Sequence, residues 1–320
     1  MQDILGVAET ENFDSAKPAE RRSVKSMKRF LRSMLIIYTL VIILLGFFQR
    51  KLLYHPVKTG PLSVAAFRQV TELYPAAKDI NLKCADGVSI KGWLLQRVAA
   101  KNSSESGGRP LVIYFHGNAG NRAGRIPWYL VIANAGADIL AIDYHGYADS
   151  EGTMTESGLE MDCDAAWDYA TKTLSYQPDE IIIAGTSLGG AAAVYLASKQ
   201  CAEQCVPSGM FVASTFSSMV DVGGSLYPWL PVGAVLVDRY PSDQRIKNVA
   251  CPVMMMHGDR DRLVLQKLGK KLFDAVPATS EAGVAKKWVN LPGIGHNDLM
   301  SNGVLPIQKE VLAFITSLRK

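Results

Sequence analysis

One serine in the chain is placed for nucleophilic chemistry. Ser187 is the centre of Gly185-Thr186-Ser187-Leu188-Gly189, between an apolar run ending Ile-Ile-Ile-Ala and a run beginning Leu-Gly-Gly-Ala-Ala-Ala. A sharp strand-to-helix turn would lift its hydroxyl above a sheet, and side chains at Gly185 and Gly189 would collide across that turn. A serine hydroxyl is a poor nucleophile at neutral pH and needs a base to take its proton. Five histidines could supply one. His55 follows an apolar N-terminal segment, and His116 opens His-Gly-Asn-Ala-Gly-Asn. His145 follows the run Asp138 to Ile142, His257 opens His-Gly-Asp-Arg-Asp, and His296 stands in Gly-Ile-Gly-His-Asn-Asp near the C-terminus. Asp259 and Asp261 are candidate acids to orient an imidazole, with Asp221 and Asp238 as rivals.

The elbow together with the His-Gly-Asn-Ala-Gly-Asn turn resembles the α/β-hydrolase superfamily. The resemblance implies the chain order serine, acid, histidine. Ser187 is then the nucleophile, and His296, the histidine between the last strand and the final helix, is the base. In the family the acid is the fourth residue after the histidine of His-Gly-Asp, which assigns Asp261 and leaves Asp259 as a turn residue. The resemblance also implies an oxyanion hole made by the backbone N–H groups of Asn118 and Leu188, with His116 in a structural role. Such a site forms an acyl-enzyme without a metal or organic cofactor.

Among members of the superfamily the chain is similar to the single-pass, membrane-anchored proteins of the bud-emergence type, grouped with serine-aminopeptidase-like hydrolases. The similarity rests on Leu52-Leu53-Tyr54-His55-Pro56, His-Gly-Asn-Ala-Gly-Asn, Asp-Tyr-x-Gly-Tyr, Gly-Thr-Ser-Leu-Gly-Gly, His-Gly-Asp-x-Asp and Gly-x-x-His-Asn-Asp. One stretch departs. Where relatives commonly carry Asp-Tyr-Arg-Gly-Tyr-Gly-x-Ser, this chain reads Asp143-Tyr144-His145-Gly146-Tyr147-Ala148-Asp149-Ser150, which places local packing beside the elbow in question.

The elements that must carry these residues alternate. Asp79 to Lys83 and Val88 to Gln96 are predicted as strands joined by a turn. Short β-rich runs at Leu111 to Phe115, Asp138 to Ile142, Glu180 to Ala184, Met210 to Ala213, Pro252 to Met256 and Lys287 to Leu291 read as buried strands. Helical patterns fall between them, at Arg122 to Ala135, Glu156 to Leu174, Leu188 to Gln200, Leu265 to Val276 and Leu305 to Leu318. The expected fold class is α/β: a mostly parallel sheet with an antiparallel edge and helices on both faces. Ligands bind such sheets beyond the carboxyl ends of the strands, where the candidate residues lie. The α/β-hydrolase domain is expected over residues 79–320, with a small lid insertion at about 214–248.

Composition bounds the rest. The 320 residues are 48% hydrophobic and 20% charged, which excludes a mainly disordered or low-complexity chain. The net charge of +4 lies wholly in residues 1–51, where nine Lys/Arg face five Asp/Glu, so the body offers no footprint for nucleic acid. Residues 1–29 read as a polar, disordered and then basic tail on the cytoplasmic side. The uncharged run from Ser33 to Phe48 spans about 24 Å as a helix, against a hydrocarbon core of ~30 Å. Extension to Phe30 with Arg32 snorkelling makes residues 30–49 a transmembrane signal anchor. A cleaved signal peptide would want small residues after the run, which instead ends Gly-Phe-Phe-Gln-Arg-Lys. Six upstream basic residues against Arg50 and Lys51 downstream keep the N-terminus cytoplasmic and put the body on the other side. Residues 50–78 are expected as a membrane-proximal linker, and Asn102-Ser103-Ser104 as a chance match to a glycosylation sequon.

The lid segment carries Phe216, Tyr227, Trp229, Leu230, Val235, Leu236 and Tyr240, suited to an acyl or lipid-like ester or thioester or simply to packing on the sheet. No acidic lid that would grip a free amino terminus is evident, which disfavours an aminopeptidase. An inactive membrane-tethered binding module on the same fold is the other alternative. Cys201 and Cys205, spaced i,i+4 on an expected helix, are either a local disulfide or two structural thiols.

Overall fold

The computed structural model describes residues 17–97 and 109–319, with side chains described from Ser26. Most of the expected polar tail and the Asn102 sequon therefore lie outside the described residues. The chain divides into two units, 1–48 and 49–320.

Helix α1 (Lys17–Leu53) starts earlier and ends later than the anchor predicted at 30–49. Its stretch Ser26–Leu53 is 28 residues long with mean hydropathy 2.3, and is the one helix among the described residues long and apolar enough to cross a membrane. At 1.5 Å per residue it exceeds the hydrocarbon thickness that the uncharged run alone falls short of.

The body is an eight-stranded sheet. Its strands are β1 (Lys78–Lys83), β2 (Ser89–Leu95), β3 (Leu111–Phe115), β4 (Asp138–Ile142), β5 (Ile181–Thr186), β6 (Gly209–Ala213), β7 (Val253–Gly258) and β8 (Lys287–Leu291), in the order β8-β7-β6-β5-β3-β4-β2-β1. Strands β3 to β8 are parallel, and β2 pairs antiparallel with β4 and β1. Strands β3, β4, β6 and β7 are buried at every position, as central strands covered on both faces must be.

On one face α2 (Arg68–Leu73), α3 (Ile126–Asn134) and the last helix pack through Val70, Trp128, Ile132, Ile307, Val311 and Ile315. On the other, α4 (Glu156–Asp168) and α5 (Leu188–Ala202) pack through Leu159, Cys163, Trp167, Ala192 and Leu196. The insertion after β6 holds three short helices, α6 (Met219–Leu226), α7 (Val232–Val235) and α8 (Ser242–Arg245). Helices α9 (Gln266–Ala275) and α10 (Val304–Ser317) complete the fold.

Two expectations need correction. The stretch 50–78 is no linker: Tyr54, Val64, Val70 and Tyr74 are buried in the body, Tyr54 in the core on one face of the sheet and the other three in the core on the opposite face. The helix predicted to carry both Cys201 and Cys205 ends at Ala202. Gln204 turns into the left-handed region (φ 60°), so the i,i+4 relationship is lost. All five cysteines are free.

Candidate active site

The elbow is built by close backbone approach. A Cβ on Gly185 would lie 2.0 Å from the carbonyl oxygen of Gly189, and one on Gly189 would lie 2.1 Å from that of Phe115. Ser187 adopts φ 55°, a strained setting for a residue with a side chain. Its N–H donates to Ala213 O (2.9 Å), and Thr215 Oγ1 donates to its carbonyl (2.9 Å). The turn thus hangs between β5 and the start of the cap insertion.

Ser187 and His296 are half-buried and Asp261 is buried. His296 Nε2 lies 3.1 Å from Ser187 Oγ, and its Nδ1 donates to Asp261 Oδ2 at 2.7 Å. The amides of Leu263 and Val264 donate to Asp261 Oδ1 at 3.0 and 2.8 Å, which leaves Oδ2 for the histidine. Burial opposes ionisation of Asp261. Hydrogen bonds from His257 and His296 and the Val264 amide outweigh it, and hold the carboxyl well below the usual carboxylate range. This chain of contacts can move a proton from a serine hydroxyl to an imidazole that a carboxylate keeps in one tautomer.

The rival acids lie elsewhere. Asp259 is exposed and accepts from the Gly293 amide (2.7 Å) in a turn. Asp221 accepts from Ser217 Oγ (2.5 Å) and Lys271 (2.7 Å). Asp238 accepts from Arg50 and Tyr54. His116 is buried, donates from Nδ1 to Gly117 O (2.7 Å) and packs against Tyr144 with ring centroids 4.2 Å apart.

Asn118 sits beside the elbow. A Cβ on the preceding Gly117 would lie 3.4 Å from Thr186 O and 3.5 Å from Ser187 Cβ. Leu188 opens α5, so its N–H is among those with no acceptor inside the helix. Residues that had been assigned no role also hold this corner. Tyr147 donates to both Asn118 O (2.7 Å) and Asn118 Oδ1 (2.9 Å). Arg122, buried, pairs with Asp143 and Asp149 and lies over the Trp93 ring. Tyr147 was within reach of sequence reasoning, since it belongs to Asp-Tyr-x-Gly-Tyr. Arg122 carried no such signal.

The family described as alpha/beta hydrolase fold matches residues 110–238. An uncharacterized protein of Mycobacterium tuberculosis is 34% identical over 250 residues, covering 78% of this chain and 81% of that one. The lysophosphatidylserine lipase ABHD12 of Danio rerio is 26% identical over 301 residues, covering 83% of this chain and 78% of its own. Among solved structures, the Pyrococcus furiosus esterase Pf2001 superposes with TM-score 0.61 at 16% identity, over 84% of this chain and 98% of that one.

Proposed function

The chain belongs to the α/β-hydrolase family, and on that premise we propose that it is a membrane-anchored serine hydrolase cleaving a carboxylic ester or thioester of an acyl or lipid-like substrate. The observation that carries this reading is His296, bonded on one side to Ser187 and on the other to Asp261. His296 takes the proton of Ser187 as the hydroxyl attacks the carbonyl carbon. The backbone N–H groups of Asn118 and Leu188 receive the developing oxyanion, a contribution of about 3 kcal/mol per donor in comparable sites. Asp261 stabilises the imidazolium, which then protonates the leaving group. Water repeats the sequence on the acyl-enzyme.

Support for an ester substrate comes from the lipase and esterase among the similar proteins. The exposed apolar side chains of the cap, among them Leu226, Tyr227 and Val237, suit an acyl chain. Support for the anchor comes from Ser26–Leu53, and its flanking charges favour a cytoplasmic N-terminus and a body on the opposite side.

Fluorophosphonate labelling of the full chain tests the chemistry. Labelling is expected for the wild type and absent for Ser187→Ala; equal labelling of both would overturn the assignment. Protease accessibility of sealed vesicles of known orientation, with a tag at each terminus, tests the topology. Tags cut from the sides opposite to those stated would reverse it.

A further inference from the structure

The eleven residues after the apolar run, Gln49 to Thr59, do more than join it to the sheet. Leu53 O accepts a hydrogen bond from Asn118 Nδ2 at 2.5 Å. His55 and Pro56 pair in parallel with Ala119 and Gly120, the two residues after Asn118. Val57 O then accepts from the Ala148 amide (3.1 Å), and the Thr59 amide donates to Ala148 O (3.0 Å). Ala148 directly follows Tyr147, whose hydroxyl holds Asn118 from the other side. Asn118 is thus fixed by its side chain and carbonyl, and the segment 53–59 supplies or backs each of those contacts.

The same segment is clamped to the cap. Arg50 donates to both carboxylate oxygens of buried Asp238, at 2.9 and 3.0 Å. Tyr54 Oη donates to Asp238 Oδ2 (3.0 Å) and lies 2.6 Å from Tyr240 Oη. Gln49 donates to Val235 O (3.2 Å) and accepts from the Val237 amide (2.7 Å). These contacts join residues more than 180 positions apart, so nothing local would create them.

We infer that the segment Gln49–Thr59 is a positioning element of the active site: it sets the Asn118 N–H where the oxyanion forms and ties that setting to the cap and to the end of the apolar helix. This rests on the reading of Asn118 as an oxyanion donor. An N–H donor is effective only when aimed at the position the oxyanion will occupy, and a shift of about 1 Å can cost on the order of 100-fold in rate. The side chains of Asn118 and Tyr54 act here through hydrogen bonds within the protein, not by touching substrate.

The test is steady-state kinetics of the full chain on a soluble short-chain ester, with rates divided by the active sites titrated with fluorophosphonate. Asn118→Ala keeps the backbone donor and the Tyr147 bond to its carbonyl, and removes the side-chain ties to Leu53 O and to the Tyr147 hydroxyl. Tyr54→Phe keeps the ring and removes the hydroxyl between Asp238 and Tyr240. Both are expected to lower kcat per titrated site, by about 10- to 100-fold for Asn118→Ala and less for Tyr54→Phe. KM should stay within about twofold, because ground-state binding does not use the oxyanion donors. Affinity for a trifluoromethyl ketone, which forms the tetrahedral adduct, should fall with kcat. Arg50→Ala should lower kcat, and Arg50→Lys should restore part of it. A purely structural role would reduce the number of titrated sites and leave kcat per site intact, and that result overturns the inference. Should Tyr54→Phe not fold, Asn118→Ala and the Arg50 pair decide it alone. A wild type that fails to label overturns the hydrolase reading and this inference with it, whereas normal labelling with unchanged kcat per site overturns only the inference.

Discussion

Gly185 and Gly189 approach so closely that a methyl on the first would lie 2.0 Å from the carbonyl oxygen of the second and 2.3 Å from its carbonyl carbon. Both obstacles are backbone, which no rotamer change can clear. Gly185→Ala is therefore expected to destabilise the fold by about 3 kcal/mol or more. Gly124→Ala is the control, since nothing lies within 4 Å of a Cβ there, and it should stay within about 0.5 kcal/mol of wild type. Urea denaturation of the two variants checks the contrast; equal effects would show that the elbow yields.

Asp261 and Asp259 stand two residues apart in one motif and have different surroundings. Asp261 is buried against His296, whereas Asp259 is exposed and ends in a turn contact with Gly293. Asp261→Asn is expected to lower kcat by roughly 10⁴-fold, because an amide stabilises neither the needed tautomer nor the imidazolium. Asp259→Asn should change kcat by no more than a few fold. A large loss at Asp259 with little at Asp261 would reverse the assignment.

The strands and the elbow were legible because they are local: β-rich runs of five or six residues and glycines at fixed offsets carry their own geometry. Ser187, Asp261 and His296 each stand in a short motif, and it is the fold of the whole sheet that brings His296 within 3.1 Å of Ser187 and 2.7 Å of Asp261. Long-range pairing was not legible. Nothing in the local pattern around Arg50 points to Asp238, and without that partner the stretch 50–78 reads as a linker. The helical relation assumed for Cys201 and Cys205 failed for a related reason, although both are free thiols, one of the two alternatives expected for them. Spacing predicts contact only while a helix continues, and α5 stops at Ala202.

Cys201 has a different neighbour, Cys251. The Cys251 thiol hydrogen-bonds to the Cys201 sulfur, burial opposes the charge, and the amides of Ala250 and Cys251 reinforce the effect, so the Cys201 thiol is lowered to about 7. Burial pushes the Cys84 and Cys163 thiols up, and the Cys201 contact together with burial raises Cys251. Cys201 is half-buried, whereas Cys84, Cys163 and Cys251 are buried. Brief iodoacetamide exposure read by peptide mass spectrometry should alkylate Cys201 ahead of these three, with a rate rising through about pH 7. Faster labelling of Cys84 or Cys163 would contradict the assignment. Ser187 labelling should be unaffected by Cys201→Ser, since the thiol lies at the far end of α5 from the elbow.

His145 occupies the position where the resembling family commonly carries arginine, and it stands between two carboxylates. Its Nδ1 lies 2.6 Å from Asp162 Oδ1 and its Nε2 3.1 Å from Asp86 Oδ2, while the Cys84 thiol donates to Asp162 Oδ1 at 3.3 Å. The backbone N–H of His145 also donates to Asp162 Oδ2 (2.9 Å). Burial disfavours the imidazolium, but the hydrogen bonds and fields of Asp162 and Asp86 outweigh it and raise the His145 pKa above its ordinary value. Raised in the folded state, the group stabilises the fold fully below the unfolded value of about 6.5, and that stabilisation is lost as pH rises through the higher folded value. His145→Gln retains polar contacts and removes the charge. Urea denaturation of wild type and variant at steps from pH 6 to pH 9 should show the wild-type advantage largest at pH 6 and shrinking upward. A gap that stayed constant or widened with pH would mean His145 is neutral in the folded protein, held by hydrogen bonds alone.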